Sequence, residues 1–289
     1  MSVIVQIVND KINDWSNGVD ATVDSWFLMS SPVPILSIVT VWMLFVLKVG
    51  PSMMANKKPF NLKEVLVGYN AFQVLFSAFI CYTAIKESNI YHHLTSDECS
   101  SQRDRDGELR LYTGAWFYFF SKVIDLLDTI FFVLRKKQNQ ITFLHVYHHT
   151  ITAFFSWGYL KFAPGEQGVV VGLLNSFVHI VMYFYYMVSA MGPEYQKYIW
   201  WKKYMTKIQL IQFVLILSYM ISISAKNCEM SNGLTYFFVI NTVIFLYLFL
   251  DFYRKTYNKS KKAVQVEFNG KAKTELDCNN NVLDAKKLK

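Results

Sequence analysis

Three histidines stand close together within one apolar stretch of the sequence: His145, His148 and His149. Their i, i+3, i+4 spacing places all three imidazoles on one face of a helix. Ionisable side chains are costly inside apolar segments, and those that occur there usually face a protein interior or a cavity. Three imidazoles on one face suit a metal site, acid–base catalysis or nucleophilic catalysis.

A charged stripe precedes the histidines in the sequence. It consists of Lys122, Asp125, Asp128 and Thr129, which share one helix face at the spacing i, i+3, i+6, i+7. The lysine can neutralise one carboxylate by direct pairing. The second acid then needs another partner, such as a histidine of a neighbouring helix. So many charges in one apolar segment predict a functional cluster rather than a purely structural one.

A third stripe follows the histidines, and its members fall on one face at i, i+4, i+7, i+8 and i+11. Its histidine is interpreted as functional, whereas Tyr185, beside the stripe, is interpreted as an interfacial aromatic residue. The stripe comprises Asn175, His179, Met182, Tyr183 and Tyr186.

A fourth, weaker stripe contains Thr206, Gln209 and Gln212. Hydrogen bonding between helices and contact with a substrate both remain open as its purpose.

The elements that carry these stripes are predicted to be transmembrane helices. Hydrophobic residues make up 53% of the 289-residue chain and charged residues only 17%, whereas soluble domains carry about 25% charged residues. A spanning helix needs about 20 mostly apolar residues. Seven segments qualify, which predicts an all-α polytopic membrane protein; they cover roughly 33–49, 65–85, 114–134, 141–160, 168–190, 205–225 and 234–251.

The loop charges predict the orientation. Lysine and arginine clusters alternate with acidic or nearly neutral loops, as seven spans require, and the basic side should be cytosolic. The net charge of +8 is therefore attributed to topology and not to nucleic-acid binding. We expect a lumenal segment over 1–32, a membrane domain over 33–255 and a cytosolic basic tail over 256–289, with no cleavable signal peptide.

Two pairs of residues outside the spans carry further predictions. Cys99 and Cys228 both fall in predicted lumenal loops, where a disulfide between them can form. Lys286 and Lys287 resemble the dilysine signal that retrieves membrane proteins to the endoplasmic reticulum.

The four stripes, in this order, resemble the ELO family of very-long-chain fatty acid elongases. The family motifs are Lys-x-x-Glu-x-x-Asp-Thr, His-x-x-His-His, Asn-x-x-x-His-x-x-Met-Tyr-x-Tyr-Tyr and Thr-x-x-Gln-x-x-Gln. Three are intact here, and the first has Asp125 in place of the glutamate. The resemblance covers about residues 30 to 255. It implies a helical bundle around an acyl channel and condensation of acyl-CoA with malonyl-CoA to a 3-oxoacyl-CoA two carbons longer.

The resemblance also implies partners: a 3-oxoacyl-CoA reductase, a 3-hydroxyacyl-CoA dehydratase and an enoyl-CoA reductase that complete each cycle. Self-association into a homo-oligomer is left open. No cofactor or metal is expected beyond the two CoA substrates. Chain length and unsaturation of the acyl substrate do not follow from the sequence.

The chemistry assigns provisional roles to the stripes. No cysteine stands near them, so a histidine must carry any covalent step; His148 is the favoured acyl acceptor, with His145 and His149 as alternatives or supporting groups. Asp125 or Asp128 would orient a histidine. His179, with Asn175, would stabilise the malonyl enolate.

Further residues are predicted to contact the substrates. Tyr183 and Tyr186 would line the channel or donate hydrogen bonds, and Thr129, Gln209 and Gln212 are additional candidates. The phosphates of CoA require cations, and the candidates are Arg135, Lys136, Lys137, Lys202, Lys203 and Arg254.

Two rival interpretations come from other classes of protein. A di-iron lipid desaturase or hydroxylase also uses histidine boxes, but such sites use about eight histidines and this chain has six. A non-enzymatic seven-helix receptor or channel would not need four polar motifs crowded towards one side.

Overall fold

The computed structural model describes residues 20–88, 90–95, 103–226, 233 and 235–256, and every regular element in that part of the chain is a helix. Residues up to Phe245 form one compact unit, and a second unit begins at Leu246. The helices are α1 Ala21–Asp24, α2 Val33–Met54, α3 Lys63–Glu87, α4 Ile90–Thr95, α5 Arg105–Ile124, α6 Leu126–Leu134, α7 Phe143–Phe162, α8 Gln167–Met191, α9 Pro193–Gln196, α10 Lys202–Ala225 and α11 Thr235–Thr256.

The chain is an all-α polytopic membrane protein. Within the described residues, five helices are long and apolar enough to cross a bilayer, namely α2, α3, α8, α10 and α11. The other two predicted spans coincide with α5–α6 and with α7. These segments are less apolar because they contain the charged stripe and the three neighbouring histidines. The segments with the most polar motifs are therefore the ones that composition alone identifies least clearly.

The sequence indicated one continuous helix for the third predicted span, but the structure does not have one. The span is divided at Asp125, which ends α5 and precedes α6. The hydroxyl of Tyr69 donates to the carbonyl oxygen of Ile124 at 3.3 Å, and the indole Nε1 of Trp42 donates to the carbonyl oxygen of Leu126 at 2.9 Å. Side chains that bond to helix carbonyls in this way are a recognised cause of kinks.

Helix packing places the polar stripes together. α8 lies against α3 along most of its length and also packs against α5 and α10, while α5 packs between α3 and α7. α2 packs against α6 and α7. Gly50 in α2 allows this approach, because a Cβ atom there would lie 2.7 Å from a methyl group of Val133 in α6.

The segment before α2 folds over one end of this bundle. The ammonium group of Lys161, at the end of α7, contacts the Asp24 carboxylate and donates to the Met29 carbonyl oxygen at 2.9 Å. Arg105, at the start of α5, bonds to the Asp20 carboxylate at 2.5 and 2.9 Å. The Arg105 guanidinium lowers the pKa of Asp20 to about 2.

Some predicted regions gain detail from the fold, and others lie outside the described residues. The connection between the second and third predicted spans, over 86–113, contains α4 and the first turns of α5. Tyr185 is buried and packs against Trp201. The Cys99–Cys228 bridge and the Lys286–Lys287 signal lie outside the described residues.

Candidate active site

The carboxylate of Asp125 is the centre of a buried polar cluster. It accepts hydrogen bonds from Lys122 Nζ at 3.0 Å, from Gln73 Nε2 at 2.8 Å and from the Tyr183 hydroxyl at 2.9 Å. Nδ1 of His179 lies 3.6 Å from the same carboxylate. Three helices, α3, α5 and α8, thus supply the partners of one charge. A buried carboxylate is tolerated only with such pairing and hydrogen bonding.

Asp128 has a tyrosine as a partner. The sequence predicted that the second acid needs another partner, such as a histidine of a neighbouring helix, and its Oδ2 lies 2.8 Å from the hydroxyl of Tyr183 in α8. The same hydroxyl contacts Asp125, so one phenol lies between the two acids. The histidine of α8, His179, lies beside Asp125, with Nδ1 3.6 Å from its carboxylate.

Lys122 connects the acids to Asn175 in α8. Its Nζ donates to Asn175 Oδ1 at 2.8 Å in addition to pairing with Asp125, and it lies 4.9 Å from the ring centre of Tyr118. The Tyr118 hydroxyl also donates to Asn175 Oδ1, at 3.2 Å. With its oxygen accepting both bonds, the amide nitrogen of Asn175 remains as a donor for another group.

The three histidines of α7 have unlike surroundings. Nε2 of His145 lies 2.8 Å from the Thr129 hydroxyl of α6. His149 is buried, and its ring centre lies 4.3 Å from that of His145 and 6.4 Å from that of Trp42 in α2. His145 thus contacts α6, and His149 contacts α2. Thr129, a predicted substrate-binding residue, contacts one of these histidines.

His148 lies on the wall of a cavity that is enclosed mainly by apolar side chains. Asn175 and Gln212 line the same cavity, as do Asn241 and Phe245 of α11. His148 is also within range of electrostatic interaction with His179, Lys122 and Asp125. Of the three neighbouring histidines, His148 is the one that lines this cavity.

The cavity extends from His148 towards the turn that joins α7 to α8. Thr152, Phe155, Ser156 and Tyr159 follow His148 along the same wall. Eleven residues of helix separate His148 from Tyr159, a rise of about 16 Å. The opposite walls come from α3, α5, α8, α10 and α11, and include Ile80, Leu111, Val171, Ile216 and Phe238.

Several residues of this site were not predicted from the sequence. Gln73 is almost fully buried in α3, and a signal existed, because Asn70, Gln73 and Ser77 share one face of an otherwise apolar helix. Asn241 is likewise an isolated polar residue in an apolar span. Trp42, Tyr69 and Tyr118 gave no such signal, since aromatic residues are frequent throughout the chain.

Other predicted residues lie farther from this cluster or on the surface. Tyr186 packs on the rings of Tyr183 and Tyr185, and Gln209 Nε2 lies 3.7 Å from the sulfur of Met182. Gln212 is buried on the cavity wall. The basic candidates are partly or fully exposed and are Arg135, Lys136, Lys137, Lys202, Lys203 and Arg254.

No group of three or more histidine, cysteine, aspartate or glutamate side chains in the described ranges is arranged to hold a metal ion.

Comparison with known proteins identifies relatives over most of the chain. Residues 27–265 match the family described as ELO, GNS1/SUR4. The chain is 41% identical over 264 residues to very long chain fatty acid elongase 7 of Rattus norvegicus, covering 91% of this chain and 94% of the relative. It is 38% identical over 269 residues to elongase 4 of Homo sapiens, covering 90% and 84%. Elongase 1 of Mus musculus is 40% identical over 248 residues, covering 84% and 88%.

Proposed function

This chain belongs to the ELO, GNS1/SUR4, family, and on that premise we propose that it is a fatty acid elongase that condenses an acyl-CoA with malonyl-CoA. The products are a 3-oxoacyl-CoA longer by two carbons, carbon dioxide and free CoA. The observation that carries the proposal is the mainly apolar cavity that begins at His148 and Asn175. A cavity of this kind can shield an acyl chain while its thioester carbon stays beside the polar cluster.

The first step is transfer of the acyl group to His148. A ring nitrogen attacks the thioester carbon, the carbon–sulfur bond breaks, and CoA leaves as the thiol with the proton that the imidazole gives up. The resulting acyl-imidazole is a reactive intermediate, which divides one difficult step into two easier ones. His148 fits this role because it contacts the cavity, whereas His149 is buried between rings.

In the second step malonyl-CoA loses carbon dioxide. The carbon–carbon bond to its carboxylate breaks, and the electron pair remains on an enolate. The enolate carbon attacks the acyl carbon, the carbon–nitrogen bond to His148 breaks, and the imidazole recovers its proton from solvent. In this mechanism the amide N–H group of Asn175 and the imidazole of His179 stabilise the enolate oxygen. Proximity supports the role of His179, whose Nδ1 lies 3.6 Å from the Asp125 carboxylate.

Lys122 serves these groups as a positioning residue. Its two bonds fix the Asp125 carboxylate and the Asn175 amide relative to each other. Such preorganisation matters because donors aimed in advance at a developing charge need no rearrangement during the reaction. Asp125 is one methylene shorter than the glutamate of the family motif. Its carboxylate nevertheless accepts hydrogen bonds from Lys122, Gln73 and Tyr183.

The location and partners follow from the same proposal. The basic loops support a cytosolic face that receives CoA, with the predicted N-terminus in the lumen of the endoplasmic reticulum and the C-terminus in the cytosol. Arg135, Lys136 and Lys203 are exposed or half-exposed cations that can contact its phosphates. The proposed reaction needs no cofactor. The reductase, dehydratase and enoyl reductase would act on its product in sequence.

The test uses microsomes that contain the protein and radiolabelled acyl-CoA without malonyl-CoA. Wild-type protein should release CoA and retain the acyl group, and addition of malonyl-CoA should discharge that group into 3-oxoacyl product. His148→Ala should lose both reactions. His179→Ala should still acquire the acyl group but fail to condense it.

The control is His92→Ala, a histidine that the sequence places in a lumenal loop; it should behave like wild type. Acylation of His148→Ala at the normal rate would reject His148 as the acceptor. Absence of any CoA release from wild type until malonyl-CoA arrives would favour direct attack of the enolate on a bound thioester. Failure of every acyl-CoA in a panel to yield product would reject the elongase function itself.

A further inference from the structure

A second polar contact joins α7 to α11 next to His148 in the sequence. The hydroxyl of Tyr147 donates to Asn241 Oδ1 at 2.6 Å, and Asn241 Nδ2 donates to the carbonyl oxygen of Phe237 at 2.7 Å. Asn241 is 7% exposed and lies in the middle of an otherwise apolar span. None of the four sequence motifs includes it.

A buried amide inside a membrane span is costly unless its polar atoms are bonded. The bond to Phe237 lies within α11 and satisfies only the amide nitrogen. The oxygen is satisfied by Tyr147 from a different helix. The contact therefore ties α11 to the residue immediately before His148.

An aromatic residue one turn further along α11 extends this contact to the imidazole. Phe245 lies four residues after Asn241, so both occupy one face of the helix. Its ring centre lies 5.5 Å from that of Tyr147 and 5.0 Å from that of His148. Phe213 of α10 packs on the other side of Phe245, with ring centres 6.0 Å apart.

We propose that Asn241 is a positioning residue for His148: through its bond to Tyr147 it fixes α11 so that Phe245 packs on the imidazole and restricts its orientation. The proposal rests on the proposed role of His148 as acyl acceptor. An imidazole must present one nitrogen to the thioester carbon, and small errors in such alignment reduce the rate of reaction. Phe245 packs on the His148 ring, and Tyr147 packs in turn on Phe245.

Tyr147 allows a clean test because it is not among the described residues that line the cavity, whereas Asn241 is. Tyr147→Phe removes the hydrogen bond and leaves the cavity wall unchanged. Asn241→Leu removes the bond and also changes the wall. Tyr236→Phe is the matched control, since Tyr236 is an exposed tyrosine of α11.

The measurement is the rate of CoA release from acyl-CoA in the absence of malonyl-CoA, together with the acyl-CoA concentration that gives half the maximal rate. Tyr147→Phe and Asn241→Leu should each slow release about tenfold with little change in that concentration. The double variant should be slowed about tenfold and not a hundredfold, because both changes remove the same bond. Tyr236→Phe should match wild type.

Three outcomes would overturn the proposal. They are an unchanged rate in Tyr147→Phe, effects that multiply in the double variant, and a change confined to product length in Asn241→Leu, which would make Asn241 a wall residue only. If wild type releases no CoA without malonyl-CoA, the acyl-histidine mechanism fails separately. In that case the same variants are compared by their rates of single-turnover condensation. A double variant that is no slower than the single variants supports the contact between Tyr147 and Asn241 as the cause. A double variant whose rate loss is the product of the two single losses contradicts the proposal.

Discussion

The polar cluster around Asp125 and the cavity wall around Tyr159 bury polar groups in two different ways. Around Asp125, charged and polar side chains from three helices satisfy one another, and two of the three partners, Gln73 and Tyr183, are more than 50 residues away in the sequence. At Tyr159 one phenol satisfies two local backbone groups: it donates to the Gly165 carbonyl oxygen at 2.9 Å and accepts from the Gly168 N–H at 2.7 Å.

The second region also depends on close contact. A Cβ atom at Gly168 would lie 2.4 Å from the Tyr159 ring, so glycine is required where α8 starts beside this side chain. The ring lies on the cavity wall near the α7–α8 turn. Its position is thus fixed by neighbours within nine residues.

The difference predicts unlike consequences of mutation. Removing one member of the Asp125 cluster leaves a charge unpaired in an apolar interior, which affects both folding and chemistry. Removing the Tyr159 ring changes the space available to an acyl chain while the polar cluster remains intact. The predictions below separate these effects.

The largest effect is expected for Lys122→Met. The change leaves Asp125 without its cation, which should lower the free energy of unfolding by on the order of 3–5 kcal/mol. Malonyl-CoA incorporation should fall by about a hundredfold or more. Thermal denaturation in detergent and the incorporation assay measure the two losses.

Lys86→Met is the control for the loss of a lysine, because the Lys86 side chain is 60% exposed. The double variant Lys122→Met/Asp125→Asn should recover thermal stability without recovering activity, since the unpaired charge is gone but the positioning is not restored. Full activity in Lys122→Met would show that the two bonds of Lys122 have no part in catalysis.

The next effect concerns product length at Tyr159. Tyr159→Ala removes the ring from the cavity wall, so longer acyl chains should be accommodated and products should extend by at least one more two-carbon step. Tyr159→Phe keeps the ring and should retain the wild-type product range, with lower stability because two backbone groups lose their partner. Chromatography of products from an acyl-CoA panel distinguishes the variants. Identical product ranges for Tyr159→Ala and wild type would mean that the acyl chain does not reach this wall.

A smaller effect is expected for Thr129→Val. The substitution preserves the shape of the fully buried Thr129 side chain but removes the hydroxyl that contacts His145 Nε2. The stability cost should be about 1–3 kcal/mol, the usual range for leaving a buried polar atom unpaired. Condensation should slow by about tenfold if His145 supports its neighbours. Thr129→Ser, which keeps the hydroxyl, should restore the rate; equal losses in both variants would point to packing instead.

The smallest effect is expected outside the membrane, at Asp20. Because the folded pKa of about 2 lies below the ordinary value of 3.8, the ion pair with Arg105 contributes stability above pH 4 that is lost as the pH falls through 2. Asp20→Asn keeps an acceptor for the N–H groups of Thr22 and Val23 but removes the charge. It should lower the Tm slightly at pH 7, and the difference from wild type should shrink between pH 4 and pH 2.

Asp106→Asn is the control for this pH series, since Asp106 is an exposed acid in the first turn of the same helix as Arg105. A Tm difference for Asp20→Asn that stays constant down to pH 2 would exclude the ion pair as its source.

Much of the architecture could be predicted from the sequence. Each of the seven predicted spans coincides with a helical segment, because apolar length and the 3.6-residue period are local properties of the chain. The family assignment rested on the same kind of information, four ordered motifs, and it is confirmed. The division of the third span at Asp125 could not be predicted, because Tyr69 and Trp42, which bond to its carbonyls, belong to other helices.

The sequence by itself determined which side chains share a helix face, and therefore which polar groups had to avoid lipid. Only the tertiary structure decided their partners: Asp128 beside Tyr183 and not beside a histidine, Thr129 beside His145, and Asn241 beside Tyr147. The physical reason is that a helical period fixes direction around one axis, whereas a hydrogen bond between helices depends on the position and tilt of two.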